Sequence, residues 1–161
     1  MDFQNLYLST AGRIGQKSFW MGQLILFGIS LVLGFIGGMI APGNAIVGAV
    51  LGLLLLYPGY CVMAKRFQDM GKPGTMAAIP YGASLLVQIF ALITTLGLVG
   101  AAATGSDAAA AGALAGMAGM GLVGIIGLVV WLVFLFWAGL TKGDPGPNAY
   151  GPPPEGAAPA A

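Results

Sequence analysis

The feature that most constrains the fold is a long stretch of chain without charge. Residues 18–64 contain no Asp, Glu, Lys or Arg. A helix needs only about 20 residues to cross the ~30 Å of bilayer hydrocarbon, so two membrane spans must share this stretch. Pro42-Gly43-Asn44 separates them, because proline ends a helix while glycine and asparagine accept turn geometry. The pattern predicts helices at residues 19–39 and 45–63.

Two further spans follow from two further uncharged stretches, residues 73–106 and 108–141. The third helix is predicted at residues 76–99, and the fourth has its apolar core at 122–140. Residues 108–120 are mostly Ala, Gly and Met, and Ser106 or Asp107 would cap a helix there, so the fourth helix could begin outside the bilayer. We therefore expect an all-α membrane protein with a four-helix transmembrane bundle over residues 19–142.

Composition supports a membrane protein and disfavours several other classes. Hydrophobic residues make up 58% of the chain and charged residues 7%, whereas soluble proteins have about a quarter charged residues. The net charge of +1 gives no basic excess to bind nucleic acid. Histidine is absent, and the one cysteine, Cys61, lies among apolar residues, as a packing residue would. We expect no metal, no cofactor and no nucleic-acid partner.

The basic residues predict the orientation in the membrane. All six lie on one side of the predicted bundle: Arg13, Lys17, Lys65, Arg66, Lys72 and Lys142. Because cytoplasmic loops carry the excess of Lys and Arg, both termini are predicted to be cytoplasmic. A cleaved signal peptide is the competing interpretation of the first span. The span is longer than the apolar region of such a peptide, which favours a membrane helix.

The two cytoplasmic ends differ in what they can form. Residues 1–18 contain Phe3, Leu6 and Tyr7 at helical spacing, which fits either a short helix on the membrane surface or a disordered end. Residues 143–161 are rich in Pro, Gly and Ala, and we expect the last ten residues to be mobile because they bury little apolar area.

Small and polar residues inside the spans are candidates for helix contacts. Four glycines at four-residue spacing would allow close packing within the bundle or between copies: Gly34, Gly38, Gly48 and Gly52. Gln23 and Gln88 are the strongest polar groups in the spans, and each is expected to bond another helix rather than a substrate. Pro58 and Pro80 are expected to kink the second and third helices.

The charged segment at residues 65–72 allows two interpretations. Asp69 is spaced to pair with basic neighbours on a helix, so the segment could simply end the second span and hold the turn. Alternatively, its basic residues could join Arg13 and Lys17 in binding anionic lipid headgroups or the acidic surface of a partner. Both interpretations stay open at this point.

Three separated segments carry a resemblance to a known family. They are Gly12-Arg13-Ile14 with Phe19-Trp20, the segment 65–72 (KRFQDMGK), and Asn148-Ala149-Tyr150-Gly151-Pro152. Over residues 8–154 the chain resembles the domain-of-unknown-function 805 family of bacterial inner-membrane proteins, the YhaH-like proteins. It departs from that pattern with Gln68 where histidine is usual, Gln16 where a second arginine is common and Thr75-Met76 where tryptophan is usual. The resemblance implies a small multi-pass protein of the bacterial inner membrane without an established activity.

All three family-like segments fall on the same predicted membrane face. We therefore expect a cytoplasmic motif layer in which Arg13 or Arg66 bonds Asp69. The residues predicted for this layer, or for headgroup contact, are Arg13, Lys17, Lys65, Arg66, Asp69, Lys72, Asn148 and Tyr150.

The titratable residues of the chain limit the possible functions. The carboxylates have no histidine beside them, which disfavours an enzyme, and no predicted span contains an ionisable group for ion-coupled transport. We favour a non-catalytic accessory or scaffolding module that packs against lipids, against other integral membrane proteins or against itself. The alternative is a small pore or facilitator for neutral solutes that uses Gln23 and Gln88.

Overall fold

The computed structural model describes residues 3–40, 45–105 and 107–154, and within them the fold is helical. The elements are α1 (Phe3–Leu8), α2 (Gln16–Ile40), α3 (Ala45–Asp69), a 3-10 helix (Gly74–Ala77), α4 (Ala78–Thr104) and α5 (Asp107–Leu140). Helices α2 to α5 are long and apolar enough to cross a membrane, which confirms the predicted all-α class with four spans. The predicted turn at 42–44 and the end of the predicted mobile tail, 155–161, lie outside the described residues.

The helices extend further than the apolar pattern alone suggested. Helix α3 continues to Asp69, so the first part of the charged segment is the last turn of a span rather than a loop. Helix α5 is continuous from Asp107 to Leu140, and residues 108–120 belong to it. Pro58 lies inside α3, whereas Pro80 lies in the first turn of α4. The start of a helix tolerates proline, because the first N–H groups have no acceptor within the helix.

Glycine allows α4 and α5 to approach closely along their length. A Cβ atom added to Gly127 would lie 2.7 Å from the Val87 side chain, and one added to Gly116 would lie 3.1 Å from Thr94. Close backbone approach of this kind stabilises helix pairs in lipid through packing. The weakly apolar first part of α5 is therefore part of the bundle.

The four glycines predicted to pack behave differently from one another. Gly52 lies against the side chain of Gln88, so this glycine does allow a close contact between α3 and α4. Gly34, Gly38 and Gly48 have no atom of the described structure within 4 Å of where a Cβ would stand. The close contact of α2 with α3 instead uses Gly37, which meets Leu51 and Val47. A shift of one residue turns a helix face by about 100°, and this explains the difference.

Helix α1 is anchored to the spans by three side chains. Lys65 donates from Nζ to the Asn5 side-chain oxygen at 2.8 Å and also to the Asn5 carbonyl. Tyr7 donates to the Gly22 carbonyl at 3.2 Å, and burial raises the pKa of this phenol. Tyr57 donates to the Leu8 carbonyl at 3.2 Å. Residues 3–8 are thus a helix held against α2 and α3.

The packed core lies at one end of the bundle, which we call the basic end. It is formed by α1, the 3-10 helix, the start of α2 and the ends of α3 and α5. The buried apolar residues there are Leu6, Phe19, Val62, Met63, Ala64, Phe67, Met70, Ala77, Leu135 and Ala138. At the opposite end apolar side chains are open, as at Phe35 and Ile40, which are 70% and 78% exposed. A membrane supplies the apolar surroundings that such a surface needs.

Candidate functional site

The centre of the basic end is the carboxylate of Asp69, the last residue of α3. Arg13 reaches it from the segment before α2, with Nε 3.1 Å from Oδ1. Arg66 reaches it from one turn earlier on α3 and donates from Nη1 to Oδ2. The side chains of Arg13, Arg66 and Asp69 are only 1%, 0% and 4% exposed. Two guanidinium groups thus share one buried carboxylate.

Arg66 also caps the end of α5. Its Nε donates to the Ala138 carbonyl at 2.8 Å, its Nη2 to the Thr141 carbonyl, and its Nη1 to the Ile14 carbonyl at 3.4 Å. The last carbonyls of a helix have no partner within the helix and carry partial negative charge, so a cation there is stabilising. Arg66 therefore joins the ends of α3 and α5 and the segment before α2.

Arg13 holds the segment that follows α5. Its Nη1 donates to the carbonyls of Gly146 at 2.8 Å and Gly151 at 3.1 Å, and its Nη2 donates to the Asp144 carbonyl at 2.6 Å. The planar guanidinium group offers five N–H donors in a fixed arrangement, which suits several carbonyls of a folded-back chain. Arg13 thereby fixes this segment beneath the bundle.

Asn148 completes the fold of the same segment. Its Nδ2 donates to the Gln68 carbonyl at 2.9 Å and to Asp144 Oδ2 at 2.8 Å, while its Oδ1 accepts from the Tyr150 N–H at 2.9 Å. Asn148 and Gly151 also exchange two backbone hydrogen bonds of 3.1 Å, which close a tight turn. Gly151 has φ of +124°, a conformation that side chains other than hydrogen rarely allow.

Glycines let the returning segment approach Asp69. A Cβ atom at Gly143 would overlap Asp69 Oδ2, and one at Gly71 would lie 2.6 Å from Asp144 Oδ2. The Asp144 N–H donates to the Asp69 carbonyl at 2.7 Å. Backbone and side chain of Asp69 are therefore both enclosed by the segment that follows α5.

The structure separates the remaining predicted residues from this cluster. Lys65 is buried but contacts Asn5, and Lys72 lies over the Trp137 ring with Nζ 5.3 Å from its centroid. Lys17 is exposed at the start of α2, and Lys142 is exposed just after α5. Tyr150 joins the cluster through its backbone N–H. The structure thus brings Arg13, Arg66, Asp69 and Asn148 together and leaves the lysines around them.

The sequence did not identify two residues of the basic end, Gln16 and Trp20, because their side chains bond backbone carbonyls. Gln16 donates to the carbonyls of Gly139 and Thr141 at 3.2 and 3.1 Å, and Trp20 donates to Gly139 at 3.1 Å. Both residues lie in or beside the first family-like segment, and this position is the sequence feature that could have identified them. Asp144 was also missed, although the Gly143-Asp144-Pro145 sequence is typical of a turn.

The chemistry of the cluster is that of a closed structural network. Within the described residues, Arg13 donates five hydrogen bonds and Arg66 four, all to internal acceptors. In the same part of the chain, no three His, Cys, Asp or Glu residues lie close enough together to hold a metal ion. The buried charges are therefore used to join the motifs to one another.

The two glutamines inside the spans differ in their surroundings. Gln23 donates to the Tyr81 hydroxyl at 3.4 Å, which links α2 to α4. Gln88, on α4, has a buried side-chain oxygen that receives no hydrogen bond from the described residues. Gln23 makes the expected bond to another helix, whereas Gln88 packs against Gly52 and its Oε1 has no hydrogen bond among the described residues.

Comparison with known proteins gives one family and no individual relative. The family model described as "Protein of unknown function (DUF805)" matches residues 7–152, which include α1 from Tyr7 onward, all four spans and the buried cluster. No curated protein and no solved structure matches the chain. Because the match covers most of the sequence and all three motifs that build the cluster, the chain belongs to the DUF805 family.

Proposed function

We propose that this protein is a non-catalytic accessory or scaffolding module of the bacterial inner membrane, with both termini in the cytoplasm. The observation that supports this most is the inward orientation of the motif residues. Arg13, Arg66 and Asp69 bond each other and the backbone, and their side chains are at most 4% exposed. Motifs used in this way build a rigid platform, since a buried charge network holds its geometry when all its groups are paired.

The surface available for partners is then apolar. The outer part of α2 exposes Phe27, Leu31 and Phe35, while its buried residues are confined to its first two turns. Gly34 and Gly38 lie on this open part with free space above them. Small residues at four-residue spacing let another helix approach closely in lipid. This face suits an integral membrane protein or a second copy of the chain as the partner.

Exposed lysines at the basic end suit the lipid headgroups. Lys17 and Lys142 are exposed, and Lys72 adds a third positive charge beside Trp137. Each basic residue near an anionic surface contributes about 1 kcal/mol of attraction. Of the cations predicted to contact headgroups, Arg13, Lys65 and Arg66 have internal acceptors instead. The proposed lipid contact therefore rests on Lys17, Lys72 and Lys142.

Co-purification from membranes in a mild detergent tests the proposed scaffold. A Gly34→Leu/Gly38→Leu variant should lose a co-purifying membrane protein, or its own dimer, because leucine blocks close helix approach. Gly97→Leu is the control, since Gly97 is also exposed with open space around it but lies on α4 rather than on the proposed surface of α2. Equal recovery of partners by both variants, or no partner with the unaltered protein, would contradict the scaffold proposal.

The alternative function, a small pore or facilitator for neutral solutes, stays a prediction. The feature that favours a pore is a cavity between the spans with several polar side chains in its lining. These are Gln23, Ser30, Tyr81 and Ser84. Swelling of proteoliposomes in glycerol would test it directly. Swelling faster than in protein-free liposomes would support a facilitator over a scaffold.

A further inference from the structure

The seam between α2 and α5 at the basic end is held by two side chains of α2. Gln16 donates to the carbonyls of Gly139 and Thr141 at 3.2 and 3.1 Å. Trp20 donates to the Gly139 carbonyl at 3.1 Å, and its ring centroid lies 6.3 Å from that of Phe136. Gln16 and Trp20 are four residues apart, so they share the face of α2 that meets α5. The two helices therefore join at the basic end, with an aromatic pair at the junction.

Two exposed lysines flank this seam at its polar end. Lys17 follows Gln16 in α2, and Lys142 follows Thr141 just after α5. Because the Gln16 side chain bonds the Thr141 carbonyl, the backbone segments that carry the two lysines are neighbours. Lysine carries its charge at the end of a flexible four-carbon stem, so both ammonium groups can approach one anionic group.

The charge of these two lysines is not balanced within the described residues. The basic end carries six basic side chains but only two described carboxylates, Asp69 and Asp144. Asp69 is enclosed by two arginines, and Asp144 accepts a hydrogen bond from Asn148. In the described part of the chain, neither Lys17 nor Lys142 forms an ion pair. Their charge is therefore available to an anion from outside the chain.

Towards the middle of the bundle, the outer surface of the seam becomes apolar on both helices. Leu24 lies two turns after Lys17 on the same face of α2 and is exposed. On α5, Phe136 and Leu140 are exposed and lie one turn apart. From Lys17 to Leu24 the surface extends for about 10 Å, at 1.5 Å per residue. Trp20 lies between the charged and the apolar part, where the membrane interface favours its polar N–H and apolar ring.

This combination limits the kind of molecule that fits the seam. The apolar part lies on two spans, so a molecule that covers it must have an apolar portion that is soluble in lipid. The lysine pair requires an anionic group at the end of that portion. A zwitterionic phospholipid carries a cationic amine beside its phosphate, and the lysines repel that amine. An anionic phospholipid has the required phosphate and acyl chains without the opposing charge.

We propose that the seam of α2 and α5 binds one anionic phospholipid, whose phosphate lies between Lys17 and Lys142. One acyl chain lies along Leu24 and Phe136, and Trp20 lies beside the junction of headgroup and chain. The proposal rests on the lipid contact of the proposed function and assigns two of its three lysines to one site.

Lys72 lies outside this site although it belongs to the same end of the bundle. Its Nζ lies over the Trp137 ring, which packs against Phe67 of α3 at a centroid distance of 5.5 Å. A discrete site on the seam therefore predicts that Lys72 does not contribute to it. General attraction of anionic lipid to the basic end predicts that all three lysines contribute.

Quenching of Trp20 by brominated lipid tests the position of the site. Trp131→Phe and Trp137→Phe leave Trp20 as the one tryptophan of the chain. This protein is reconstituted in vesicles of phosphatidylcholine and phosphatidylglycerol, with bromine on the acyl chains of one lipid or of the other. At equal bromine content, brominated phosphatidylglycerol should quench Trp20 more strongly, and the mole-fraction dependence gives the ratio of the two binding constants. Equal quenching by the two brominated lipids would overturn the proposal.

Single substitutions of the lysines test which charges form the site. Lys17→Gln and Lys142→Gln should each lower the preference for phosphatidylglycerol about fivefold. Lys72→Gln is the matched control, because it removes the same charge from the same end and should leave the preference unchanged. Equal losses in the three variants would overturn the single site but keep the general lipid attraction of the proposed function. An unchanged preference in all three would contradict both.

Native mass spectrometry gives the same comparison without the tryptophan substitutions. It decides the question if circular dichroism shows that Trp131→Phe and Trp137→Phe prevent folding. The unaltered chain and Lys72→Gln should retain one phosphatidylglycerol in preference to phosphatidylcholine, and Lys17→Gln and Lys142→Gln should lose that preference. Equal retention of the two lipids by the unaltered chain would overturn the proposal.

Discussion

Replacing Asp69 with asparagine tests whether the buried cluster stabilises the fold. The substitution keeps the shape of the side chain but leaves Arg13 and Arg66 buried, at 1% and 0% exposure, without a counter-charge. Removing one partner of a buried ion pair costs about 3 to 5 kcal/mol, because the remaining charge is uncompensated. Here the carbonyls of Asp144 and Ala138 still accept hydrogen bonds from the two arginines, so we expect about 3 kcal/mol.

Reversible unfolding by sodium dodecyl sulfate, measured by circular dichroism in mixed micelles, gives the change in unfolding free energy. Asp107→Asn is the matched control, since it makes the same chemical change at an exposed helix start and should cost about 0.5 kcal/mol. If Asp69→Asn changed the unfolding free energy no more than Asp107→Asn, the cluster would not stabilise the fold.

Three further substitutions test the elements that surround Asp69. Gly143→Ala should destabilise the bundle by about 2 kcal/mol in the same unfolding assay, because the added Cβ overlaps Asp69 Oδ2; an unchanged stability would contradict this packing. Asn148→Ala should speed hydrogen exchange at residues 144–151 while the spans stay protected, as it removes three hydrogen bonds. Lys65→Met should release α1, seen as faster exchange at residues 3–8, and unchanged exchange there would contradict the anchoring role of Lys65.

The spans could be predicted because the pattern of charge along the chain is a one-dimensional signal. Membrane thickness fixes the length of a helix, so residues 18–64 had to contain two spans whatever their packing. Proximity of Asp69 to Arg13 also followed from the sequence, since both residues fall at the same end of the bundle. The sequence thus predicted which polar residues lie at the same end of the bundle.

Contacts that depend on helix rotation or on backbone carbonyls were not predictable. Gly37 packs against α3 although Gly34 and Gly38 have the more familiar spacing, because the rotation of α2 is set by the whole bundle. Arg66 caps α5 through carbonyl groups, which every residue has and which leave no mark in the sequence. The Gln88 side-chain oxygen, which has no hydrogen-bond partner in the described part of the chain, was unpredictable for a similar reason, since only the packed helices determine what that side chain meets.

Cysteine labelling in spheroplasts tests most directly the proposal that the basic end of this four-span protein faces the cytoplasm. In a Cys61→Ala background, Thr104→Cys marks the end of α4 opposite the basic end, and Ala149→Cys marks the basic end; both positions are exposed. A membrane-impermeant maleimide should label Thr104→Cys in intact spheroplasts and Ala149→Cys only after lysis. Labelling of Ala149→Cys in intact spheroplasts, with Thr104→Cys protected until lysis, would contradict the proposed orientation.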